Sequence, residues 1–146
     1  MDSGRMFEFQ TYVDDAYVNT HIGDGFIVAT PTGSTAYALS CGGPIVAPQL
    51  DALVLAPICP HTLSDRPIVI PGSSRTEIRL REQDADHAAV CCDGEVIGQL
   101  GAGDVLEVSL SKKYLDLIHP PGFDFYEILR SKLHWGRSSR DPQSAD

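Results

Sequence analysis

The sequence predicts a mainly β protein, built as a β-sandwich with one short helix in its N-terminal third and one C-terminal helix. Two observations indicate this class: short apolar or alternating segments recur from residue 6 to residue 120, and turn residues separate nearly all of them. Many short strands with regular turns are typical of a sandwich. The 146 residues are enough for one domain whose core needs neither a disulfide nor a metal.

The first two strands are predicted to form a hairpin. In MFEFQTYV (6–13) apolar and polar residues alternate, which places every second side chain on one face of a strand. That face carries Phe7, Phe9, Thr11 and Val13. Asp14-Asp15 supplies the turn, and AYVNTHI (16–22) is the returning strand.

The next segment, GFIVAT (25–30), is continuously apolar and is therefore predicted to be a central strand. Seven further strands are predicted after it, at close spacing. They are DALVLAPI (51–58), RPIVI (66–70), TEIRLRE (76–82), HAAVCC (87–92), EVIGQL (95–100), DVLEVSL (104–110) and YLDLIHP (114–120).

Two helices interrupt this pattern. The first is predicted to start after Gly33, with Ser34 or Thr35 as its N-cap, and to end at Gly42-Gly43-Pro44. The second covers FDFYEILRSKLHW (123–135), where apolar residues recur at helical spacing. These are Phe125, Ile128, Leu129 and Leu133. The domain is predicted to span residues 1–136, with a disordered tail over residues 137–146.

Charge and composition exclude several classes of protein. A net charge of −9 argues against a nucleic-acid surface or an anionic-membrane surface, because both need clustered Lys and Arg. No apolar run approaches the roughly 20 residues of a membrane span, and no signal peptide is recognisable, so a cytoplasmic protein is expected. The four cysteines form no C-x-x-C pair and are predicted to be free thiols. They are Cys41, Cys59, Cys91 and Cys92.

The segment TPTGSTAY (30–37) has the composition of a nucleotide-contacting turn. Its hydroxyl groups can donate and accept hydrogen bonds, the helix that follows presents free N–H groups, and Tyr37 offers a flat ring for a base. A plain strand-to-helix connection with a solvated loop would contain the same residue types. The segment is neither a phosphate-binding P-loop nor a nucleophile elbow, since G-x-x-x-x-G-K-[ST] and G-x-S-x-G are both absent.

Longer runs carry a resemblance to a known family. They are GDGFIVATPTGSTAYALSCGGPIVAP (23–48), DALVLAPICPHTLSDRPIVIP (51–71), CDGE (92–95) and LIHPPGFDFYEILRSKLHWG (117–136). Together they resemble the C-terminal domain of bacterial NAD kinases. The resemblance implies an enzyme that phosphorylates the 2′-hydroxyl of the adenosine ribose of NAD, giving NADP, with ATP and a divalent metal cation such as Mg²⁺. It also implies a homodimer or homotetramer, with an active site between this domain and an N-terminal α/β domain.

The resemblance implies the substrate-binding residues as well. Thr35 to Ser40 match the hinge that holds the adenine part of the dinucleotide, and Asp24 matches an acidic residue that hydrogen-bonds the ligand. Arg5 and Glu95 match two further contacts, and Cys59 matches a position that contributes from a neighbouring subunit. The implied set is Arg5, Asp24, Thr35, Ala36, Tyr37, Ala38, Leu39, Ser40, Cys59 and Glu95.

One departure from the family pattern bears on catalysis. The family's general-base Asp lies in a Gly-Gly-Asp-Gly turn of the N-terminal domain, and this turn is absent here, as is the Asn-Glu signature. Gly23-Asp24-Gly25 is a different turn, because FIVATPTG follows it directly. We therefore expect no catalytic residue in this chain and no kinase activity from it alone. The open alternatives are a non-catalytic NAD or NADP sensor, a domain of a lipid or sphingoid kinase, and an interaction sandwich without a ligand.

Overall fold

The computed structural model describes residues 6–62, 64–81 and 88–136. Arg5 and the predicted tail at 137–146 lie outside the described residues. The elements are β1 (Phe7–Val13), β2 (Ala16–Gly23), β3 (Gly25–Ala29), a 3₁₀ turn (Thr32–Thr35), α1 (Tyr37–Ser40), β4 (Ala52–Ile58), β5 (Ile68–Pro71), β6 (Thr76–Leu80), β7 (Ala88–Cys92), β8 (Glu95–Leu100), β9 (Val105–Val108) and α2 (Phe125–Leu133). The chain divides into two compact units, residues 1–111 and 112–146. The single domain over 1–136 stays a prediction.

The first unit consists of antiparallel sheets. One sheet has four strands in the order β2-β1-β6-β9, a second has three in the order β3-β4-β5, and β7 pairs with β8. Side chains of the four-stranded and three-stranded sheets meet in shared apolar clusters, where Val13 packs with Leu53 and Leu55. This architecture confirms the predicted class, a mainly β sandwich with two helices.

The three-stranded sheet is covered on both faces. Val54 and Ala56 of β4 pack with Ala38 of α1 on one face, while Leu53 and Leu55 pack toward the four-stranded sheet on the other. Continuous burial explains why β4 has no polar alternation. It also corrects the prediction that GFIVAT is a central strand, because β3 lies at the edge of this sheet and β4 is central.

The predicted N-terminal hairpin is confirmed. β1 pairs with β2 through a turn in which Asp14 and Asp15 have φ values of 49° and 67°, the left-handed geometry that tight hairpin turns require. Phe9 and Thr11 are buried, as the alternation predicts. Arg75 fixes the turn, since its backbone N–H donates to Asp14 Oδ1 at 2.8 Å. That hydrogen bond is the main cause of the lowered pKa of Asp14.

The predicted strand at 114–120 is wrong. These residues form no strand, and the apolar side chains of the segment are open to solvent. Ile118 is 96% exposed and Leu115 is 84% exposed. An apolar sequence forms a strand only when another strand supplies its backbone partners, and no described strand pairs with this segment.

The second unit contains α2, which confirms the predicted C-terminal helix with shorter bounds. Asp124 is its N-cap, and the Asp124 side chain accepts a hydrogen bond from the backbone N–H of Tyr126 at 2.8 Å. The helix ends at His134, which has a φ of 51°. Leu129 is buried, whereas Tyr126 is 55% exposed. Among the described residues, no helix has the length and apolar character needed to cross a membrane.

Candidate functional site

The segment after β3 folds as two short turns instead of one capped helix. A 3₁₀ turn over Thr32–Thr35 leads to Ala36, whose φ of −96° and ψ of −132° break the helical path, and α1 follows. The prediction of Ser34 or Thr35 as N-cap is wrong, because Ala36 is the N-cap of α1 and neither turn has a side-chain cap. The predicted end is correct: Gly42 has a φ of 81°, and Gly43 donates its N–H to the Ala38 carbonyl at 2.9 Å.

The hydroxyl groups of this hinge largely serve the hinge itself. The Ser34 hydroxyl donates to the Pro31 carbonyl at 2.6 Å and accepts from the Val46 N–H at 3.0 Å. Thr30 Oγ1 accepts from the Gly33 N–H at 3.2 Å, and Thr35 Oγ1 donates to the Thr32 carbonyl at 3.3 Å. Ser34 is fully buried. Hydrogen bonds within the chain therefore explain why the hinge contains so many hydroxyl side chains. Ser34 has a structural role.

One side of the hinge remains open to solvent. Ala36 and Ser40 are exposed, and Tyr37 is 58% exposed with its ring accessible. Thr35 and Leu39 are half-buried. Ala38 is buried in the core, so a ligand could reach only its main chain. The structure therefore gathers Thr35 to Ser40 into one short, partly exposed turn.

The Gly-Asp-Gly turn lies at the other end of β3, against the end of β4. The Asp24 N–H donates to the Ile58 carbonyl at 3.0 Å. A Cβ atom on Gly23 would be 2.6 Å from that carbonyl oxygen, so only glycine fits there. Because Gly25 pairs with Ile58 in the antiparallel ladder, Asp24 comes opposite Cys59. The Asp24 side chain is exposed.

The hinge folds back along the three-stranded sheet toward this turn. Cys41, which directly follows α1, packs against the cluster that contains Ala29, Ala38 and Ala56. Burial raises the pKa of the Cys41 thiol, and the neighbouring Cys59 raises it further. Cys59 in turn comes opposite Asp24 where the β3–β4 ladder is extended. α1 and the Asp24 turn therefore both lie against the three-stranded sheet.

Glu95 lies on a different pair of strands from the hinge and Asp24. Glu95 begins β8 at the tip of the β7–β8 hairpin and is exposed. No hydrogen bond or ion pair in the described part of the chain joins Glu95 to the hinge. Arg5 lies outside the described residues. Both stay predictions.

The segment after Cys59 is fixed by a polar contact that no sequence motif indicates. His21 Nδ1 lies 3.1 Å from Asp65 Oδ2, and His21 is 5% exposed. The two residues are 44 positions apart, so no local motif could indicate the pair. The His61 N–H also donates to the Ile22 carbonyl at 2.9 Å. These bonds hold His61 and Asp65 against the end of β2, close in sequence to Asp24.

Comparison with models of protein families shows the family of this chain. The model of the ATP-NAD kinase C-terminal domain matches residues 2–120, well over half of the chain. The chain belongs to the ATP-NAD kinase family. The NAD kinase of Pseudomonas putida (strain W619) is 50% identical over 134 residues, which are 92% of this chain and 45% of that protein. The NAD kinase of Hydrogenovibrio crunogenus is 46% identical over 136 residues, covering 93% of this chain and 47% of that protein.

Solved structures of this family have the same fold. A yeast NADH kinase complexed with NADH has a TM-score of 0.83 and 29% identity, over 95% of this chain and 43% of that one. An NAD kinase from Archaeoglobus fulgidus in complex with ATP has a TM-score of 0.65 and 32% identity, over 76% of this chain and 42% of that one. The chain spans about half the length of the curated ATP-NAD kinase relatives that it matches.

Proposed function

We propose that this chain is the dinucleotide-binding half of an NAD kinase, which phosphorylates the 2′-hydroxyl of the adenosine ribose of NAD with ATP. The observation that carries the proposal is the exposed Tyr37 face of the hinge, in a chain that the family model matches over residues 2–120. The relatives' names support NAD as substrate, and the complex of one neighbour supports ATP.

Each part of the hinge has a role in this proposal. The Tyr37 ring stacks on the adenine, since an exposed aromatic ring beside a polar turn provides a flat surface for a base. Main-chain groups of Thr35 and Ala36 and the hydroxyl of Ser40 contact its polar edge. The Asp24 carboxylate accepts a hydrogen bond from the ligand. Cys59, exposed at the end of β4, completes the site from a neighbouring subunit of a homo-oligomer.

Catalysis needs groups that these residues do not provide. The family's general-base Asp has no counterpart here, and phosphoryl transfer depends on positioning and charge stabilisation by both halves of the cleft. The described residues contain no group of three His, Cys, Asp or Glu side chains that could hold a metal ion. This part of the chain therefore does not fit a divalent cation by itself, and we assign the cation to the remainder of the enzyme.

A second candidate function is that of a non-catalytic NAD or NADP sensor, which would use the same exposed face of the hinge. Tight NAD binding by the chain alone would favour the sensor, whereas weak binding would favour an enzyme half that gains affinity from its other domain.

Tyr37→Ala is expected to weaken NAD binding by about 5- to 160-fold, because stacking of a base on an aromatic ring contributes about 1–3 kcal/mol. Isothermal titration of the full chain with NAD measures the change. Tyr17→Ala is the matched control, since Tyr17 is 57% exposed and lies on β2 next to the Asp14-Asp15 turn. Equal losses in the two variants, or an unchanged affinity in Tyr37→Ala, would contradict the stacking role.

A further inference from the structure

A small cavity, partly open to solvent, lies between the two sheets and away from the hinge. Its volume is about 40 Å³. Thr11, Asn19 and His21 of the four-stranded sheet line it on one side, and Phe26, Leu55 and Pro57 of the three-stranded sheet line it on the other. The lining is completed by Val18, Arg66 and Ile68, all three of which are exposed. The family resemblance assigns no role to this place.

Two polar side chains at the cavity have atoms without a protein partner. Thr11 Oγ1 and Asn19 Oδ1 are buried and make no hydrogen bond, and Thr11 is completely inaccessible. Thr11 and Asn19 are direct cross-strand partners in the β1–β2 ladder, so their side chains lie side by side on one face. A buried polar group left unpaired costs about 1–3 kcal/mol. Two such groups lining one cavity indicate a shared partner.

The neighbouring His21 constrains what that partner can be. His21 Nδ1 lies 3.1 Å from Asp65 Oδ2 and 3.3 Å from Asn19 Nδ2. If Nδ1 carries the proton that Asp65 accepts, the Asn19 amide turns its oxygen to the ring and its nitrogen to the cavity. Otherwise the nitrogen faces the ring and the oxygen stays free. Either orientation leaves one amide atom unpartnered, so the partner must be able both to donate and to accept.

We propose that the cavity is a hydrated site, in which an ordered water molecule bridges Thr11 Oγ1 and the free amide atom of Asn19. The volume suffices, because one water needs about 10–15 Å³ of such space. Water donates and accepts, as both amide orientations require. Phe26, Leu55 and Pro57 offer the water no polar contact, so its remaining hydrogen bonds go to the polar lining residues, among which are His21 and Arg66.

The bridging water also completes a longer polar chain. Asn19 contacts His21, His21 contacts Asp65, and the Thr62 hydroxyl donates to Asp65 Oδ2 at 3.4 Å. This chain runs from the sandwich interior to the segment that follows Cys59. The water gives the free amide atom of Asn19, at the inner end of this chain, a hydrogen-bond partner.

Thr11→Val separates a hydrated cavity from a dry one by the sign of its effect. If water is bound, the variant removes a partner of that water and lowers the melting temperature by a few degrees. If the cavity is dry, the variant removes an unpaired hydroxyl and raises the melting temperature. Thermal unfolding of the full chain, followed by circular dichroism, distinguishes the two.

Thr76→Val is the matched control. Thr76 is also completely buried in the same sheet with an unpartnered Oγ1, but it does not line the cavity. We expect Thr76→Val to leave the melting temperature unchanged or raised, opposite in sign to Thr11→Val. Melting temperatures that rise together in both variants would overturn the proposal. A crystal structure that shows ordered waters gives an independent test: density within hydrogen-bond distance of both Thr11 Oγ1 and Asn19 supports the site, and an empty cavity overturns it.

Discussion

With NAD, ATP and Mg²⁺, the 146-residue chain alone is expected to form NADP at least roughly 10²–10⁴ times more slowly than a complete NAD kinase, the factor typical for loss of a general base. The expected loss is larger still, because the chain spans about half of its relatives' length and phosphoryl transfer needs the donor held in line. An assay that couples NADP formation to a dehydrogenase measures the rate.

The matched comparison is the full-length NAD kinase of Pseudomonas putida, which is 50% identical over the shared region. That enzyme, assayed in parallel, shows that the conditions support turnover. A rate from this chain comparable with that of the full-length enzyme would show that its own residues supply the base and the donor site, and the proposed division of roles would be wrong.

Gly23→Ala is expected to destabilise the fold by about 1–3 kcal/mol and to weaken NAD binding as well. The added Cβ would lie 2.6 Å from the Ile58 oxygen and 3.1 Å from the Cys59 oxygen, and both are backbone atoms of the paired strand. Relief of this contact must move the strands apart, which breaks the hydrogen bond between Asp24 and Ile58. Urea unfolding measures the loss of stability, and titration with NAD measures the loss of binding.

Gly98→Ala is the control for Gly23→Ala. Gly98 also lies in a strand, but a Cβ there meets no atom within 4 Å and its φ is not positive. We expect Gly98→Ala to leave stability equal or slightly higher, since alanine lowers the conformational entropy of the unfolded chain. If Gly23→Ala were as stable as Gly98→Ala, the tight packing of the Asp24 turn against β4 would be refuted.

The sequence predicts a strand best when the same pattern also indicates the adjacent paired strand, as in a hairpin. The alternation from Phe7 to Val13 correctly indicated a half-buried strand, and Asp14-Asp15 correctly indicated its turn. Apolar runs are less informative. GFIVAT and DALVLAPI are both apolar, yet only the second forms a central strand. Both faces of their sheet are covered, so edge and central strands alike are apolar, and the apolar character does not indicate strand order. Residues 114–120 have a strand-like pattern and no strand partner among the described residues.

The place of the hinge in the fold could be predicted because one segment carries it, whereas contacts between distant segments could not. The hinge from Thr35 to Ser40 is one continuous segment, so its residue types indicate where it lies in the chain. The sequence did not indicate that the Ser34 hydroxyl forms hydrogen bonds with Pro31 and Val46, because Val46 is 12 positions away. The contact between His21 and Asp65 was hidden for the same reason. Short motifs identify local turns, whereas tertiary hydrogen bonds depend on the pairing of strands.

The central claim is that the turn from Thr35 to Ser40, together with Asp24, binds the adenosine part of NAD. Amide NMR of the ¹⁵N-labelled full chain, titrated with NAD, tests it most directly. We predict that the amide signals of Ala36, Tyr37, Ser40 and Asp24 shift together with one affinity, while the signals of the Gly101–Asp104 turn do not shift. Unmoved hinge amides at NAD concentrations that saturate shifts elsewhere in the chain would contradict it.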